Sequence, residues 1–477
     1  MAFIRKTFYL NMSYAFGANI ITTILSTIFV MFLPKLVDIR EYGAIQLMLF
    51  YINYIGFLHF GLPEGIYLRY GGIRYEDIKF KVLVWEYVIA VTMIACFSII
   101  TFFYLQELVF DPVKRYVGIG TCVIAIGQHL IWFNTYVLQM SNRIKDYSKV
   151  VVFDKFIFVF GIILSVFCID YNYKTLIMAL VITRYISALY SIFLCKEIFF
   201  QLPNHCFFRQ AIFDYKNNLE CGFKLLISSF LGLLILGIIR WAISVYWSIE
   251  VFAVVSFSLS MVMFFLSFIN SVGIALFPFL KKLTDYDAAL LYKCLNYVLY
   301  KGLFSLLFFY YPIVLIVNIW LPKYGASLEY LGILIPILIF ETKYNLLLSN
   351  YMKALRLEKK LLKVTFYSII LCLMGTGIFV FFCDLKMGIV LLVLVLYFKY
   401  KLCEVKMAKI YDLPVIKDLP VIKNSFIELL FLIFFEIIIN LKIEISALLN
   451  ISIYLIFFLY KKQEFFNAWR QIQKILR

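Results

Sequence analysis

The apolar stretch Leu225–Ile249 contains one charged residue, Arg240. It lies sixteen residues after Lys224 and ten before Glu250, so in a helix its Cα is about 24 Å and about 15 Å from those charges. A guanidinium this deep in a membrane costs several kcal/mol unless it faces a wet cavity or a partner. Because its fork of donors suits phosphate or diphosphate, Arg240 is a candidate contact for an anionic substrate. An arginine that bridges two helices, or that lipid headgroups hold, is the alternative.

Other ionisable residues also lie inside apolar segments. Three cations, Arg184, Lys301 and Lys343, join Arg240 as candidate substrate contacts, because they would give a cavity positive potential. Glu341 is a predicted gate or coupling residue. Residues one or two apart on a helix do not face each other, so neutralising partners must come from other helices.

The segment Phe57–Gly72 combines glycines and Pro63 with two ionisable residues, His59 and Glu64. Proline and glycine should loosen the end of a helix here, which predicts a hinge or backbone carbonyls open to a cavity. A packing kink explains the same residues. Glu64 is a predicted gate or coupling residue, and His59 joins it as a candidate proton relay or as a structurally hydrogen-bonded histidine.

The elements that must position these residues are membrane helices. With 64% apolar and 15% charged residues, the chain lies outside the composition of soluble globular proteins, which predicts an all-α polytopic membrane protein. Apolar runs long enough to cross about 30 Å of hydrocarbon predict about fourteen transmembrane helices. They cover residues 11–33, 44–68, 82–105, 113–139, 148–169, 173–195, 222–247, 250–280, 290–319, 327–350, 361–383, 385–403, 425–441 and 443–460.

The distribution of basic residues predicts the orientation of these helices. With the N-terminus inside, 32 Lys and Arg fall in or beside cytoplasmic segments and eight fall in or beside outside loops. This bias follows the positive-inside rule and predicts that both termini are cytoplasmic. Because the basic residues are dispersed and form no single patch, a nucleic-acid partner is not expected.

The long predicted inside loops divide the chain into bundles. A faint similarity at an offset of 209 residues, between Asp38–Gln46 and Trp247–Val255, supports two related halves. The C-terminal tail has apolar residues at helical spacing with cations between them, which predicts an amphipathic helix on the anionic inner leaflet. The predicted organisation is an N-terminal six-helix bundle (1–198), a cytoplasmic linker (199–221), a C-terminal six-helix bundle (222–410), a cytoplasmic loop (411–424), an extra helix pair (425–460) and the amphipathic tail (461–477).

Catalytic and cofactor motifs are not found. The sequence contains no CxxC, HExxH, GxSxG, GxxxxGK[ST] or GxGxxG pattern, so we predict neither an enzyme nor a cofactor or metal site. No loop is long enough for a nucleotide-hydrolysing domain. Transport would then be driven by H⁺ or Na⁺, by the membrane potential or by the substrate's own gradient.

Two stretches, Arg40–Gly72 and Gly222–Lys282, carry a resemblance to a known family. The chain resembles the Wzx-type O-antigen and capsule flippases of the multidrug/oligosaccharidyl-lipid/polysaccharide exporter superfamily. The resemblance implies two six-helix bundles in a V, in the bacterial inner membrane. It implies a flippase that moves an undecaprenyl-diphosphate-linked oligosaccharide to the outer leaflet by alternating access, for lipopolysaccharide or other surface polysaccharide. A polysaccharide polymerase and a chain-length regulator are the implied partners, beside membrane lipids.

The sequence departs from that family in two places. Ile239 stands where family members often have an acid before the arginine, and the extra pair at 425–460 is more like the peptidoglycan lipid-precursor flippases. A cation-coupled multidrug exporter is the alternative transporter, although the first helix has no carboxylate for cationic cargo. A membrane polysaccharide polymerase or ligase is a second alternative, which the short outside loops of about ten residues or fewer disfavour.

Overall fold

The computed structural model describes residues 2–71, 75–168, 172–199, 207–280, 283–410, 421–460 and 462–476, and the regular elements in these ranges are all helical. The helices are α1 (Ala2–Leu36), α2 (Ile39–Ile55), α3 (Leu62–Tyr70), α4 (Phe80–Leu108), α5 (Pro112–Met140), α6 (Ile144–Cys168), α7 (Tyr173–Leu194), α8 (Lys196–Phe199), α9 (Phe208–Tyr246), α10 (Ile249–Leu280), α11 (Asp285–Gly302), α12 (Tyr310–Trp320), α13 (Ser327–Leu334), α14 (Ile337–Lys343), α15 (Asn350–Ala354), α16 (Glu358–Phe382), α17 (Leu385–Ile410), α18 (Val421–Ile438), α19 (Ile443–Leu459) and α20 (Lys462–Leu476). The prediction of an all-α polytopic protein is confirmed.

When each helix is tested for length and hydropathy, fewer spans are found than the fourteen that the sequence predicts. Within the described ranges, nine helical segments pass this test, and up to twelve pass if each sharply bent pair is one span. The difference arises partly because charged residues sit inside the later helices. For example, α17 carries Lys399, Lys401 and Glu404 in its second half.

The chain divides into two compact units. The first comprises Met1–Phe230 with Ser248–Ala253, and the second comprises Leu231–Trp247 with Val254–Arg477. Part of the range 199–221, which we expect to be a cytoplasmic linker, is helical, because α9 begins at Phe208. This part of α9 belongs to the first unit, because its Asn218 and Gly222 pack closely against α3.

The first unit is built around α5, which packs against α2, α3, α4 and α7. The N-terminus of α5 is capped: Asp111 accepts hydrogen bonds from the Val113 and Lys114 amides, and Pro112 occupies the first turn. Small and polar residues of α5 allow the neighbouring helices to approach closely. Asn134, at 0% exposure, donates a hydrogen bond to Ser191 Oγ on α7 over 3.0 Å. The central position of α5 brings His129 beside the break between α2 and α3.

The second predicted helix is broken, as its proline and glycines indicate. α2 and the 3₁₀ turn Gly56–His59 end at Phe60, and α3 then continues at an angle of 57°. Phe60 and Gly61 both have positive φ, 49° and 89°, a conformation that glycine adopts without strain and phenylalanine does not. The break lies where proline and glycine were expected to loosen the helix end, with His59 on one side and Glu64 on the other. A hinge at this break stays a prediction.

The second unit contains further interrupted helices. A 3₁₀ segment, Leu303–Phe309, joins α11 to α12, and a π-helical segment, Tyr344–Ser349, follows α14. Such π-helical turns are rare and often mark functional or strained positions.

The C-terminal tail is helical, as predicted, and packs against α11. Cys294 Sγ contacts Gln471 Oε1 over 3.0 Å, and Ile472 is 4% exposed. Phe466 and Trp469 are exposed instead, so the apolar residues of α20 divide between two directions. Contact of this helix with a lipid leaflet stays a prediction.

Candidate functional site

Arg240 lies on α9 and is partly buried. Its Nη2 donates a hydrogen bond to Ser256 Oγ on α10 over 3.0 Å, and Ser256 is buried. Both residues belong to the second unit. This hydrogen bond joins α9 to α10 at the depth where the sequence placed the arginine.

Arg184 on α7 is held by a carboxylate. Its Nη1 lies 2.8 Å and 2.7 Å from the two carboxylate oxygens of Asp154 on α6. The pair is mostly buried, with side-chain exposures of 12% and 21%. The prediction that neutralising partners come from other helices is confirmed here, and the pair ties α6 to α7.

The Arg184–Asp154 pair allows a test of whether Arg184 also contacts cargo. If the pair is only a tie between helices, replacing both residues with apolar ones of similar size, Arg184→Met with Asp154→Leu, should keep transport within about twofold of the unaltered protein. Arg184→Met alone should reduce the amount of folded protein, because it removes the cation that contacts the mostly buried Asp154 carboxylate. Transport lost in the double variant at equal protein level would indicate that Arg184 does contact cargo.

Lys301 on α11 caps the C-terminus of α19. It is 3% exposed, and its Nζ donates to the carbonyl oxygens of Phe457 and Tyr460 over 2.6 Å and 3.0 Å. Those carbonyls lie at the C-terminus of α19, where a cation is favourable for the helix dipole. The Nζ also lies 4.0 Å from the centre of the Phe457 ring. These contacts give Lys301 a structural role in fixing α19 to α11.

Lys343 belongs to a buried ion network that joins three helices of the second unit. Its Nζ is 2.7 Å from Glu404 Oε1 and 2.8 Å from Tyr400 Oη, both on α17, and 3.8 Å from Glu428 Oε1 on α18. Lys401 completes the network, 2.8 Å from Glu404 and 2.5 Å from Glu428. Two lysines and two glutamates balance in charge, so the network is neutral as a set.

Glu341, two residues before Lys343, forms a separate pair. Lys399 Nζ lies 2.7 Å from Glu341 Oε1 and 3.9 Å from the centre of the Tyr344 ring. Lys399 is 5% exposed. The pair ties α14 to α17 beside the π-helical segment. A gate or coupling role for Glu341 stays a prediction.

His59 and Glu64 meet across the break between α2 and α3. Glu64 Oε2 lies 3.5 Å from His59 Nδ1, and Tyr136 Oη donates to Glu64 Oε1 over 3.3 Å. The ring of His129 on α5 lies 5.4 Å from the ring of His59. The structure thus brings together two residues that the sequence singled out, and it adds two that the sequence did not.

The partners that sequence reasoning missed come mostly from the far ends of helices. Glu404 and Glu428 fall at or beyond the ends of predicted spans, where charge is expected and carries no signal. His129 and Tyr136 face the break only because α5 packs against α3. In the described part of the chain, no group of three or more His, Cys, Asp or Glu residues is placed to hold a metal ion.

These helices, with their buried charges, define a multi-pass membrane protein. Its fold is similar to a solved structure described as lipid II flippase MurJ in an inward closed conformation, with a TM-score of 0.62 and 13% identity over 95% of this chain and 99% of that chain. At this identity the likeness shows the fold. It includes the C-terminal helices, since nearly all of both chains is covered.

Two further structures are less similar. The MATE transporter ClbM in complex with Rb⁺ gives a TM-score of 0.37 at 12% identity, over 86% of this chain and 96% of that chain. A MOP superfamily transporter from Pyrococcus furiosus gives 0.31 at 10% identity, over 83% and 91%. Both scores are too low to indicate a shared fold. No protein-family model and no curated protein matches the sequence.

Proposed function

We propose that this protein is a flippase that moves an undecaprenyl-diphosphate-linked oligosaccharide from the inner to the outer leaflet of the bacterial inner membrane, by alternating access, for surface polysaccharide biosynthesis. Both termini are cytoplasmic in this proposal. A polysaccharide polymerase and a chain-length regulator would act on the exported glycan. The observation that carries the proposal is the fold, which is similar over almost its whole length to a structure described as a lipid II flippase.

Among the buried cations, the proposed cargo class rests on Arg240. Arg184, Lys301 and Lys343 contact protein carboxylates or carbonyls that hold helices together. Arg240, the one charged residue of the apolar stretch Leu225–Ile249, is the cation that we assign first to a cargo diphosphate. Its planar fork can bind two phosphate oxygens at once, which a lysine cannot. Glu64, His59 and Glu341 remain the candidates for gating or coupling.

The test is flipping by the full chain in proteoliposomes. The probe is a fluorescent undecaprenyl-diphosphate oligosaccharide whose outer-leaflet fraction is quenched by a reductant, with lipid II as the comparison cargo. We expect Arg240→Ala to slow flipping of the oligosaccharide about tenfold or more, since it removes charge-assisted hydrogen bonds. Arg240→Lys should keep part of the rate if charge alone is needed, and little if the fork is needed.

Arg209→Ala is the matched control, because it makes the same change at an exposed position of the same helix. It should leave the rate unchanged. Unaltered flipping in Arg240→Ala, at equal protein level, would contradict the assigned contact. Failure of the unaltered protein to move either probe would contradict the flippase itself, and flipping of lipid II alone would change the cargo.

A further inference from the structure

We infer that His59, Glu64 and His129 form a proton-binding site that fastens the break between α2 and α3. All three side chains are buried, with exposures of 6%, 8% and 5%. The site lies within the first unit. The claim that a proton gradient acts on the transporter at this site rests on the proposed function. The claim that the site binds a proton does not.

The hydrogen bonds fix which nitrogen of each histidine carries a proton. The Gly61 amide donates to His59 Nδ1 over 3.1 Å. Since an amide N–H can only donate, Nδ1 is an acceptor and neutral His59 has its proton on Nε2. The reverse holds for His129, whose Nδ1 lies 2.8 Å from the Ala125 carbonyl. A carbonyl can only accept, so His129 Nδ1 carries the proton and Nε2 has a lone pair.

One proton fits between Glu64 and His59. Glu64 Oε2 has no hydrogen-bond partner in the structure and faces His59 Nδ1 at 3.5 Å. An ionised carboxylate and an acceptor nitrogen would present lone pairs to each other at this contact. A proton taken from water turns the contact into a hydrogen bond between a donor and an acceptor. On Oε2, the carboxyl donates to Nδ1, which it then shares with the Gly61 amide. On Nδ1, the ring donates to the carboxylate and the Gly61 amide loses its acceptor. Either bond joins residues on opposite sides of the break.

His129 supplies a second buried base. Its Nε2 is buried without a hydrogen-bond partner, and the two imidazole rings lie nearly perpendicular, at 78°. A cavity of about 10 Å³ adjoins both rings, together with Tyr87 of α4. The exposed lining of this cavity is apolar and offers a water no polar partners. His129 is therefore a second base beside the pair and not part of a water relay.

The ionisable groups around the site are few. Tyr136 of α5 donates to Glu64, and its ring lies 6.1 Å from the ring of Tyr67 of α3, which is exposed. Tyr87 of α4 lines the small cavity beside the histidines, and its ring packs against Phe133 and Phe199. In the described ranges no lysine or arginine contacts Glu64 or either histidine. The charge of the site therefore changes by a full unit when a proton binds, and no permanent cation compensates it.

The surroundings make the break responsive to that change. α3 cannot slide freely, because Gly65 lies against the backbone of Asn218 on α9. Phe60 is held at a positive φ that a phenylalanine seldom adopts. Fastening His59 to Glu64 stabilises this bent form, and release of the proton weakens it. The proton thereby becomes a ligand of one conformation in preference to the other.

The test is a titration of the full chain in nanodiscs with ¹⁵N-labelled histidine. The chain has three histidines, so His59→Gln, His129→Gln and His205→Gln assign every imidazole signal. We expect neutral His59 to carry its proton on Nε2 and neutral His129 on Nδ1. Glu64→Gln should lower the proton affinity of His59 about tenfold, and Glu86→Gln, which changes another buried carboxyl of this unit, should alter it by less than twofold.

Hydrogen exchange of residues 59–66, corrected for the intrinsic effect of pH, should slow at least threefold when the site is protonated. If Glu64→Gln does not fold, Tyr136→Phe is measured in its place. This variant removes the hydroxyl that donates to the Glu64 carboxylate, so it should raise the proton affinity of the His59–Glu64 pair about threefold. Opposite protonated nitrogens, or a His59 titration unchanged in both variants, would overturn the inference. The titration and the hydrogen exchange are both measured without cargo. If they give the expected results and the flipping assay fails, only the proposed function is overturned.

Discussion

Lys343→Met should lower the free energy of unfolding by about 3 kcal/mol or more, the largest effect that we expect from any single charge in the second unit. Lys343 is 2% exposed and contacts Glu404 directly. Removing it leaves two buried carboxylates, Glu404 and Glu428, to share Lys401. The uncompensated negative charge has no access to water, and that desolvation is the main cost. Unfolding by SDS in mixed micelles measures the change.

Two comparisons separate charge balance from packing. Lys343→Met with Glu404→Gln restores neutrality, because Lys401 and Glu428 remain 2.5 Å apart. This double variant should recover more than half of the lost stability. Lys353→Ala changes an exposed lysine ten residues further along the same helical run and should stay within about 0.5 kcal/mol of the unaltered protein. Equal losses in the single and double variants would show that packing, and not charge, holds α14, α17 and α18 together.

Gly222→Ala should prevent α3 and α9 from packing and should sharply reduce the yield of folded protein. A Cβ on Gly222 would lie 1.9 Å from the Gly61 carbonyl oxygen and 2.5 Å from the Gly65 nitrogen. These are backbone atoms, which cannot turn aside as a flexible side chain does. Gly65 meets α9 in the same way, since its added Cβ would lie 1.8 Å from Asn218 O. Close contact of this kind between small residues is a common means of packing membrane helices.

Gly232→Ala is the control, because it lies on the same helix and an added Cβ there has no atom within 4 Å. Alanine favours helix over glycine by about 1 kcal/mol, so this variant should be neutral or slightly more stable. Yield and thermal stability of the two purified variants give the comparison. A Gly222→Ala protein as stable as Gly232→Ala would mean that α3 and α9 do not approach as closely as the structure places them.

The fold could be predicted from composition and periodicity because a membrane permits few architectures. Long apolar runs must be helices when their backbone groups cannot reach water, and Pro63 with its glycine neighbours indicated the break at Phe60. The start of α9 was harder to predict. Phe208 and the residues after it are polar enough to suggest a loop, and only the contact of Asn218 and Gly222 with α3 explains why they are helical.

The buried charged residues could be found in the sequence, but the partners that they contact could not. An intramembrane charge such as Arg184 is conspicuous in a sequence because it is rare, whereas its partner depends on which helices lie side by side. Lys301 illustrates the limit, since it contacts main-chain carbonyls at the end of α19. No residue type in the sequence marks such a partner. Helix packing therefore supplies information that hydropathy does not contain.

The neutrality of the Lys343 network has an electrical consequence. A transmembrane voltage of 100 mV does about 2.3 kcal/mol of work on one elementary charge that crosses it. Lys343 and Lys401 offset Glu404 and Glu428 within a few ångströms, so a displacement of these four side chains as a set carries almost no net charge across the field. Any dependence of transport rate on membrane potential must then originate in other groups, or in the charge of the cargo itself.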